Sequence, residues 1–430
     1  MEETTKPEPP PALLLRHVGR VATLAGSTSA RAGNAQSELG LLHDAAILIV
    51  GGRIDWIGRD AELPTIRVPR RVIEHELRGQ LVTPGFVDAH THVVWAGDRK
   101  DELEQRLAGE DYERIFARGG GILSSVRATR RASEDELFTQ SEARVRRMIS
   151  CGTTALEIKS GYGLDLATEC AQLRVARRLG DTLGLAIRTT CLAAHAIPAE
   201  ARGDDAARAA FITSIVDEIL PALARASLAD YVDAFCDRGA FTVEESRRVL
   251  QAGRALGLRA RLHANELGAT GGAALAAELA TDSADHLLHV DANDRAALAR
   301  AGVVAVLLPG TSLVLRKPYA DGRAFVEAGV PVAVATDCNP GSCALESLPM
   351  AFALACHGNR LSPAEALVAI THNAAASLGW SSLRGRLEAS LQADLVVLAT
   401  DDLRDLAYHF GSPWIQATLV GGRVLHGNLR

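Results

Sequence analysis

Two rhythms alternate along this chain. Short, mostly apolar runs recur at Gly85–His90, Thr154–Lys159, Ala186–Ala194, Tyr231–Cys236, Leu258–His263, Ser283–Leu288, Val303–Leu308 and Val332–Thr336. A strand with one wet face alternates apolar and polar residues, whereas a run without alternation fits a strand buried on both faces of a parallel sheet. Between these runs apolar positions return every three or four residues, the period of a helix with one buried face. They do so over Glu134–Ile149, Leu166–Leu183, Phe211–Ala224, Val243–Leu256 and Ala292–Ala301. Eight strands in strand–helix order predict an α/β fold, a (β/α)8 TIM barrel over residues 85–380.

The two ends break this rhythm. Ala45–Gly58 reads as two strands joined at Gly51-Gly52, a hairpin signal, and Ile415–His426 repeats the form around Gly421-Gly422. Asp394–Leu398 adds another strand. A small β-sandwich domain built from both ends is the expectation, residues 16–84 plus 381–430. Residues 1–15 open on a Pro- and Glu-rich stretch without the apolar centre of a signal peptide, and predict a disordered tail.

Composition narrows the class. Among 430 residues, 47% are hydrophobic, enough for a large core, and the net charge of -6 implies no basic surface for nucleic acid. No apolar run approaches the ~20 residues of a membrane helix. The seven cysteines are scattered and form no Cys-x-x-Cys, so neither a disulfide framework nor a thiolate zinc knuckle is expected. A reduced, cytoplasmic protein with no membrane partner is the consistent picture. Lysine is rare, only Lys6, Lys100, Lys159 and Lys317. Lys159 and Lys317 therefore stand out, because the bias would favour Arg wherever Arg served equally well.

In such barrels the chemistry lies at the C-terminal strand ends, and here those ends are polar. They carry His90 and His92, Lys159 with Ser160-Gly-Tyr-Gly163, His195, His263 with Glu266, His286, and Asp337 with Asn339-Pro-Gly-Ser342. His90 and His92 are two apart, so an extended chain turns both imidazoles to one side. Three imidazoles and a carboxylate (His90, His92, His263, Asp337) suit one Zn²⁺ or Fe²⁺ with a position left for water. Such an ion brings the pKa of water down toward ~7, and Asp337 is the group to take the proton. Gly119-Gly-Gly121 lacks the Gly-x-Gly-x-x-Gly spacing and a preceding strand, so it is not a phosphate loop.

Several stretches carry a family resemblance. Pro84-Gly-Phe-Val-Asp-Ala-His-Thr-His92, the late Ala335-Thr-Asp337 and the bipartite β domain resemble the amidohydrolase superfamily. Sharper likeness comes from Gly119-Gly-Gly-Ile-Leu-Ser-Ser-Val-Arg-Ala-Thr-Arg130, Lys159-Ser-Gly-Tyr-Gly163, Leu308-Pro-Gly-Thr-Ser312 with Arg316-Lys-Pro-Tyr319, and Asp337-Cys-Asn-Pro-Gly-Ser342. These resemble the branch that opens the ring of 4-imidazolone-5-propanoate in histidine degradation. The likeness runs from about Ala45 to the C-terminus. Trp95 and Cys338 depart from it without removing a polar group.

The resemblance implies hydrolysis of the cyclic amide of 4-imidazolone-5-propanoate to N-formimidoyl-L-glutamate by a metal-bound hydroxide. It implies one Zn²⁺ or Fe²⁺/Fe³⁺ per subunit, held by His90, His92, His263 and Asp337, in a homodimer. Arg99 would grip the propionate carboxylate, which suits a guanidinium fork, with Tyr162 at the same end. His195 and Glu266 would hydrogen-bond the ring, and Glu266 would also transfer a proton. Asn339, Gly341 and Ser342 would meet the polar end through side-chain and backbone donors. His286 would orient the water or polarise the carbonyl, or act as a further ligand. Two-metal relatives use a lysine on strand 4, but here that strand ends Phe235-Cys236-Asp237, so one metal is expected. Lys159 would support its loop or set the field. Two other readings stay open: a deaminase of a base such as guanine or cytosine, whose substrate has no carboxylate for Arg99, and a non-catalytic barrel kept as a scaffold.

Overall fold

A computed structural model of the chain describes residues 12–110 and 120–429. Residues 1–11 of the expected tail, and Gly119 of the glycine triplet, lie outside that description. The expected tail is too long at its inner end: residues 12–15 are already strand, because Ala12, Leu13, Leu14 and Leu15 are buried in the sheet core.

The two chain ends together build one mixed sheet. Its strands are β1 (Ala12–Ala22), β2 (Leu41–Val50), β3 (Arg53–Arg59), β4 (Val72–Glu76) and β5 (Leu81–Pro84). The other end adds strands at Leu395–Leu398, Ile415–Val420 and Arg423–Gly427, and the first of these pairs antiparallel with β5. The small domain expected from both ends is therefore present, as one continuous eight-stranded sheet rather than two separately bonded layers. Both Gly-Gly pairs make two-residue hairpin turns with positive φ at each residue, 58° and 81° at Gly51 and Gly52, 54° and 71° at Gly421 and Gly422. A side chain there would be strained, and this turn geometry matches the twist of the flanking strands.

The middle of the chain forms eight parallel strands in sequence order. They are β6 (Phe86–Asp88), β7 (Thr153–Lys159), β8 (Ala186–Ala194), β9 (Tyr231–Cys236), β10 (Arg259–Ala264), β11 (Ser283–His286), β12 (Val304–Leu307) and β13 (Val332–Val334). The last strand returns to the first through Asp337 N–H to His90 O at 3.0 Å and His92 N–H to Cys338 O at 2.9 Å, so the barrel is nearly closed. The apolar runs located all eight strands. β11 stops short of the expected Leu288 because His286 and Leu287 turn left-handed, with φ of 76° and 58°, which ends strand pairing.

Amphipathic helices cover the strands. Leu166–Leu183 starts on Asp165, whose carboxylate accepts the Thr168 N–H, and buries Leu173, Ala176, Leu179 and Leu183 at helical spacing. The helix expected over Phe211–Ala224 is broken into Asp205–Ser214, a π-helical turn at Ile215–Ile219 and Leu220–Arg225. Pro221 has no N–H and its ring crowds the preceding turn, which accounts for the widened segment. Among the described residues, no helix is long and apolar enough to cross a membrane.

Candidate metal centre

The strand ends bring the expected ligands together. His90 and His92 lie just past β6, where Thr91 bridges Cys338, and their Nε2 atoms are 3.3 Å apart. His263, near the end of β10, completes a set whose ligand atoms all fall within 4.8 Å of one another. Asp337 Oδ1 sits 3.6 Å from both His90 Nε2 and His92 Nε2. Its backbone is left-handed at φ 53°, and its other oxygen accepts the Thr311 hydroxyl. Three imidazoles thus form the close ligand group, and Asp337 stands beside two of them but outside that group.

The chemistry of this set fits a metal ion. His90 Nδ1 pairs with Asp285 Oδ2 at 2.7 Å, and His263 Nδ1 with Asp233 Oδ2 at 2.9 Å. A carboxylate on Nδ1 holds the proton there and leaves Nε2 as a lone-pair donor. Burial holds His90 and His92 far below the usual imidazole range, so both are neutral, as ligands must be. Burial raises Asp337 to about 6, so near neutral pH it is an anion that can accept a proton. A divalent cation suits three imidazoles and one carboxylate.

Residues that the sequence reading missed lie beneath the histidines. Asp233 and Asp285 orient the imidazoles, and Glu157 and Arg261 pack with Lys159 in the same buried layer. A signal was available: Glu157, Asp233 and Arg261 each stand between two apolar residues of an expected strand, and a buried charge requires a partner.

The pocket side is built mainly on two loops. After β7, buried Glu169 accepts the backbone N–H groups of Gly161, Gly163 and Leu164 at 3.1, 2.9 and 2.8 Å, and so shapes the turn that carries Tyr162. The Tyr162 ring lies 6.0 Å from that of His92 and 5.4 Å from that of His195, which in turn stacks on His92 at 5.1 Å. Burial, then the nearby Asp337 carboxylate, raises the Tyr162 phenol, so it stays protonated. His195 is pressed down to about 3 by burial and is neutral, with Nδ1 3.1 Å from Gly161 O.

Glu266 and His286 form a pair at 3.6 Å between Oε2 and Nε2. Burial, then Asp337 and Asp237, raises Glu266 to about 8, so it carries a proton at neutral pH. The His286 ring is 5.3 Å from that of His263, but His286 is not among the three histidines of the close ligand group.

The loop after Asp337 differs from expectation in detail. Asn339, Gly341 and Ser342 were expected to meet the polar end of the substrate through side-chain and backbone donors. Here the Gly341 and Ser342 N–H groups donate to Asn339 Oδ1 at 2.8 Å, and Asn339 Nδ2 donates to Asp337 O and Ser342 Oγ. In this arrangement Asn339 shapes the loop, because its amide satisfies that loop's own backbone. Arg99 packs on Gly341, where an added Cβ would lie 1.9 Å from Arg99 Nη1. Its guanidinium also pairs with Glu102 at 2.6 Å, and Glu102 accepts the Gly121 N–H at 2.9 Å.

Comparison with known proteins gives the family and the fold. The amidohydrolase family profile matches residues 81–425. An imidazolonepropionase of Geobacillus kaustophilus is 42% identical over 417 residues, covering 96% of this chain and 97% of the relative. One of Pseudomonas putida is 47% identical, covering 88% and 93%. Among solved structures, E. coli guanine deaminase superposes with a TM-score of 0.72 at 15% identity, over 97% of this chain and 99% of that one. A zinc-bound adenosine deaminase from Xanthomonas campestris gives 0.68 at 19%, over 96% and 92%. At such low identity these two structures establish the shared fold alone.

Proposed function

The chain belongs to the amidohydrolase family, and from that premise we propose that it hydrolyses the cyclic amide of 4-imidazolone-5-propanoate to N-formimidoyl-L-glutamate, as in histidine degradation. The observation that carries the reading is a metal-fitted centre beside an arginine lodged against the loop that follows Asp337. The relatives named imidazolonepropionase support it along nearly the whole chain.

One Zn²⁺ or Fe²⁺ per subunit, held by His90, His92, His263 and Asp337, would lower the pKa of a water toward ~7 and so make a nucleophile available at neutral pH. The protein does the rest. Arg99 and the protonated Tyr162 bind the propionate carboxylate and set the ring over the histidines. His195, with Nδ1–H donated to Gly161 O, leaves Nε2 to accept from the ring. Asp337, at about 6, accepts the proton of the attacking water. Glu266, protonated up to about 8, donates to the ring nitrogen that leaves as the C–N bond breaks. Neutral His286 stands beside Glu266 and polarises the attacked carbonyl or orients the water. The reading also carries a cytoplasmic homodimer, which light scattering of the purified protein checks for its oligomeric part.

The deciding experiment is a direct assay of imidazolone propionate hydrolysis with metal content measured in the same sample. Turnover should track bound metal, fall on chelation and return with added Zn²⁺ or Fe²⁺. Undiminished turnover in metal-free protein, or turnover of guanine instead, sinks the proposal. Glu266 adds a pH test. Its acid form is the active one, so kcat/KM should fall as pH rises through about 8. Glu266→Gln should lower kcat by roughly 10²-fold or more and remove that alkaline limb. A limb unchanged in the variant assigns it to another group.

A further inference from the structure

Lys159 has no part in the chemistry above, yet its ammonium is fully buried at the end of β7. Its Nζ lies 2.8 Å from Glu157 Oε1, 2.9 Å from Asp233 Oδ2 and 3.7 Å from Asp285 Oδ2. Asp233 is the partner of His263, and Asp285 is the partner of His90. The same oxygen of each carboxylate faces both the lysine and the imidazole. Among the described residues, no other Lys or Arg lies within 4.0 Å of both aspartates: Arg261 reaches Asp285 at 3.4 Å and Glu157 at 3.9 Å. A short chain of contacts therefore runs from one metal ligand, through two carboxylates and one ammonium, to the other.

Resting on the reading of this centre as a metal site, we infer that Lys159 is a positioning residue that ties the two imidazole–carboxylate pairs into one frame, so that His90 and His263 present Nε2 to the same ion. Charge balance argues the same way. Glu157, Asp233, Asp285 and Asp337 set against Lys159 and Arg261 leave two formal negative charges, the charge that one divalent cation neutralises. Without Lys159, Glu157 and Asp285 keep Arg261 within 4.0 Å but Asp233 keeps no Lys or Arg among the described residues, and an unpaired buried charge relaxes by moving or by drawing in water. Either response turns the aspartates away from the imidazoles. A lysine suits the gap, because a compact, rotatable ammonium donates to Glu157 and Asp233 and still stands 3.7 Å from Asp285. That answers why Lys survives here in a chain otherwise rich in Arg.

The test is metal binding by apo-protein, measured by competition against a chromophoric chelator with Zn²⁺, and by the visible spectrum of the Co²⁺-loaded protein. Lys159→Met should weaken Zn²⁺ binding by about 10–100-fold, the usual cost of losing a group that orients a ligand, and should alter the Co²⁺ bands. Lys159→Gln, which keeps two N–H donors without the charge, should fall between Met and the parent, and serves if the Met variant does not fold. Thr418→Val is the control. It removes a buried hydrogen bond to Ile149 O at 2.9 Å, which involves none of Lys159, Glu157, the two aspartates or the histidines, so it should lower thermal stability and leave Zn²⁺ affinity and the Co²⁺ spectrum as in the parent. Parent-like affinity and spectrum in a folded Lys159 variant overturn the inference, as does an equal loss in Thr418→Val, which would make the effect one of general stability. If the parent itself binds neither ion, the metal reading fails, and the inference with it.

Discussion

Asp337→Asn will cut kcat by about 10²–10⁴-fold, the range for a lost general base, and leave KM within a few-fold. The amide has the same shape and can still accept the Thr311 hydroxyl, so the loop should keep its course. What disappears is the anionic oxygen 3.6 Å from both His90 Nε2 and His92 Nε2, and with it the site that takes a proton from water. An interaction made only during the reaction lowers kcat and kcat/KM together. Metal content of the same samples separates the two duties of this residue. If Asp337→Asn keeps its ion and still loses turnover, proton transfer is the missing step. Near-parent kcat in a metal-loaded Asp337→Asn would remove Asp337 from the reaction altogether.

Arg99→Ala will chiefly raise KM, by roughly 30-fold or more, from the ~2–5 kcal/mol lost when one partner of a buried charged pair is truncated. Two losses combine. The substrate carboxylate loses a bidentate partner, and Glu102, now paired with Arg99 at 2.6 Å, becomes an unpaired anion facing that carboxylate. Arg99→Ala with Glu102→Ala should therefore recover part of the loss, and a substrate analogue without the propionate should bind both proteins alike. Gly341→Ala gives an independent check, because its methyl would enter the space of Arg99 Nη1 and push the guanidinium aside. A KM unchanged in Arg99→Ala places the carboxylate elsewhere in the pocket.

The barrel was legible because its evidence is local. An apolar run with no alternation can be seen one strand at a time, and all eight strands fell where those runs lie. His90 and His92 were equally local, two residues apart on extended chain. The first half of β1 was misread because Pro-rich composition obscured its start, and pairing with β2 and β4 overrides that local signal. The internal bonds of the Gly341 and Ser342 N–H groups were not legible for a different reason. Sequence shows that N–H groups exist, but not that Asn339 Oδ1 turns back to accept them.

What the sequence determined by itself was the kind of architecture and the candidate chemistry: periodicity sets strand and helix, and donor types at strand ends mark a candidate metal-binding set. What only the tertiary structure decided was the partnership beneath that set. Asp233, Asp285, Glu157 and Arg261 lie on four different strands, and each alone says no more than that a buried charge needs a partner. Which partner it meets depends on the tilt and register of strands around a nearly closed barrel, a property of all eight together. That register sets Lys159 between the two aspartates and gives the histidines a fixed direction in which to bind.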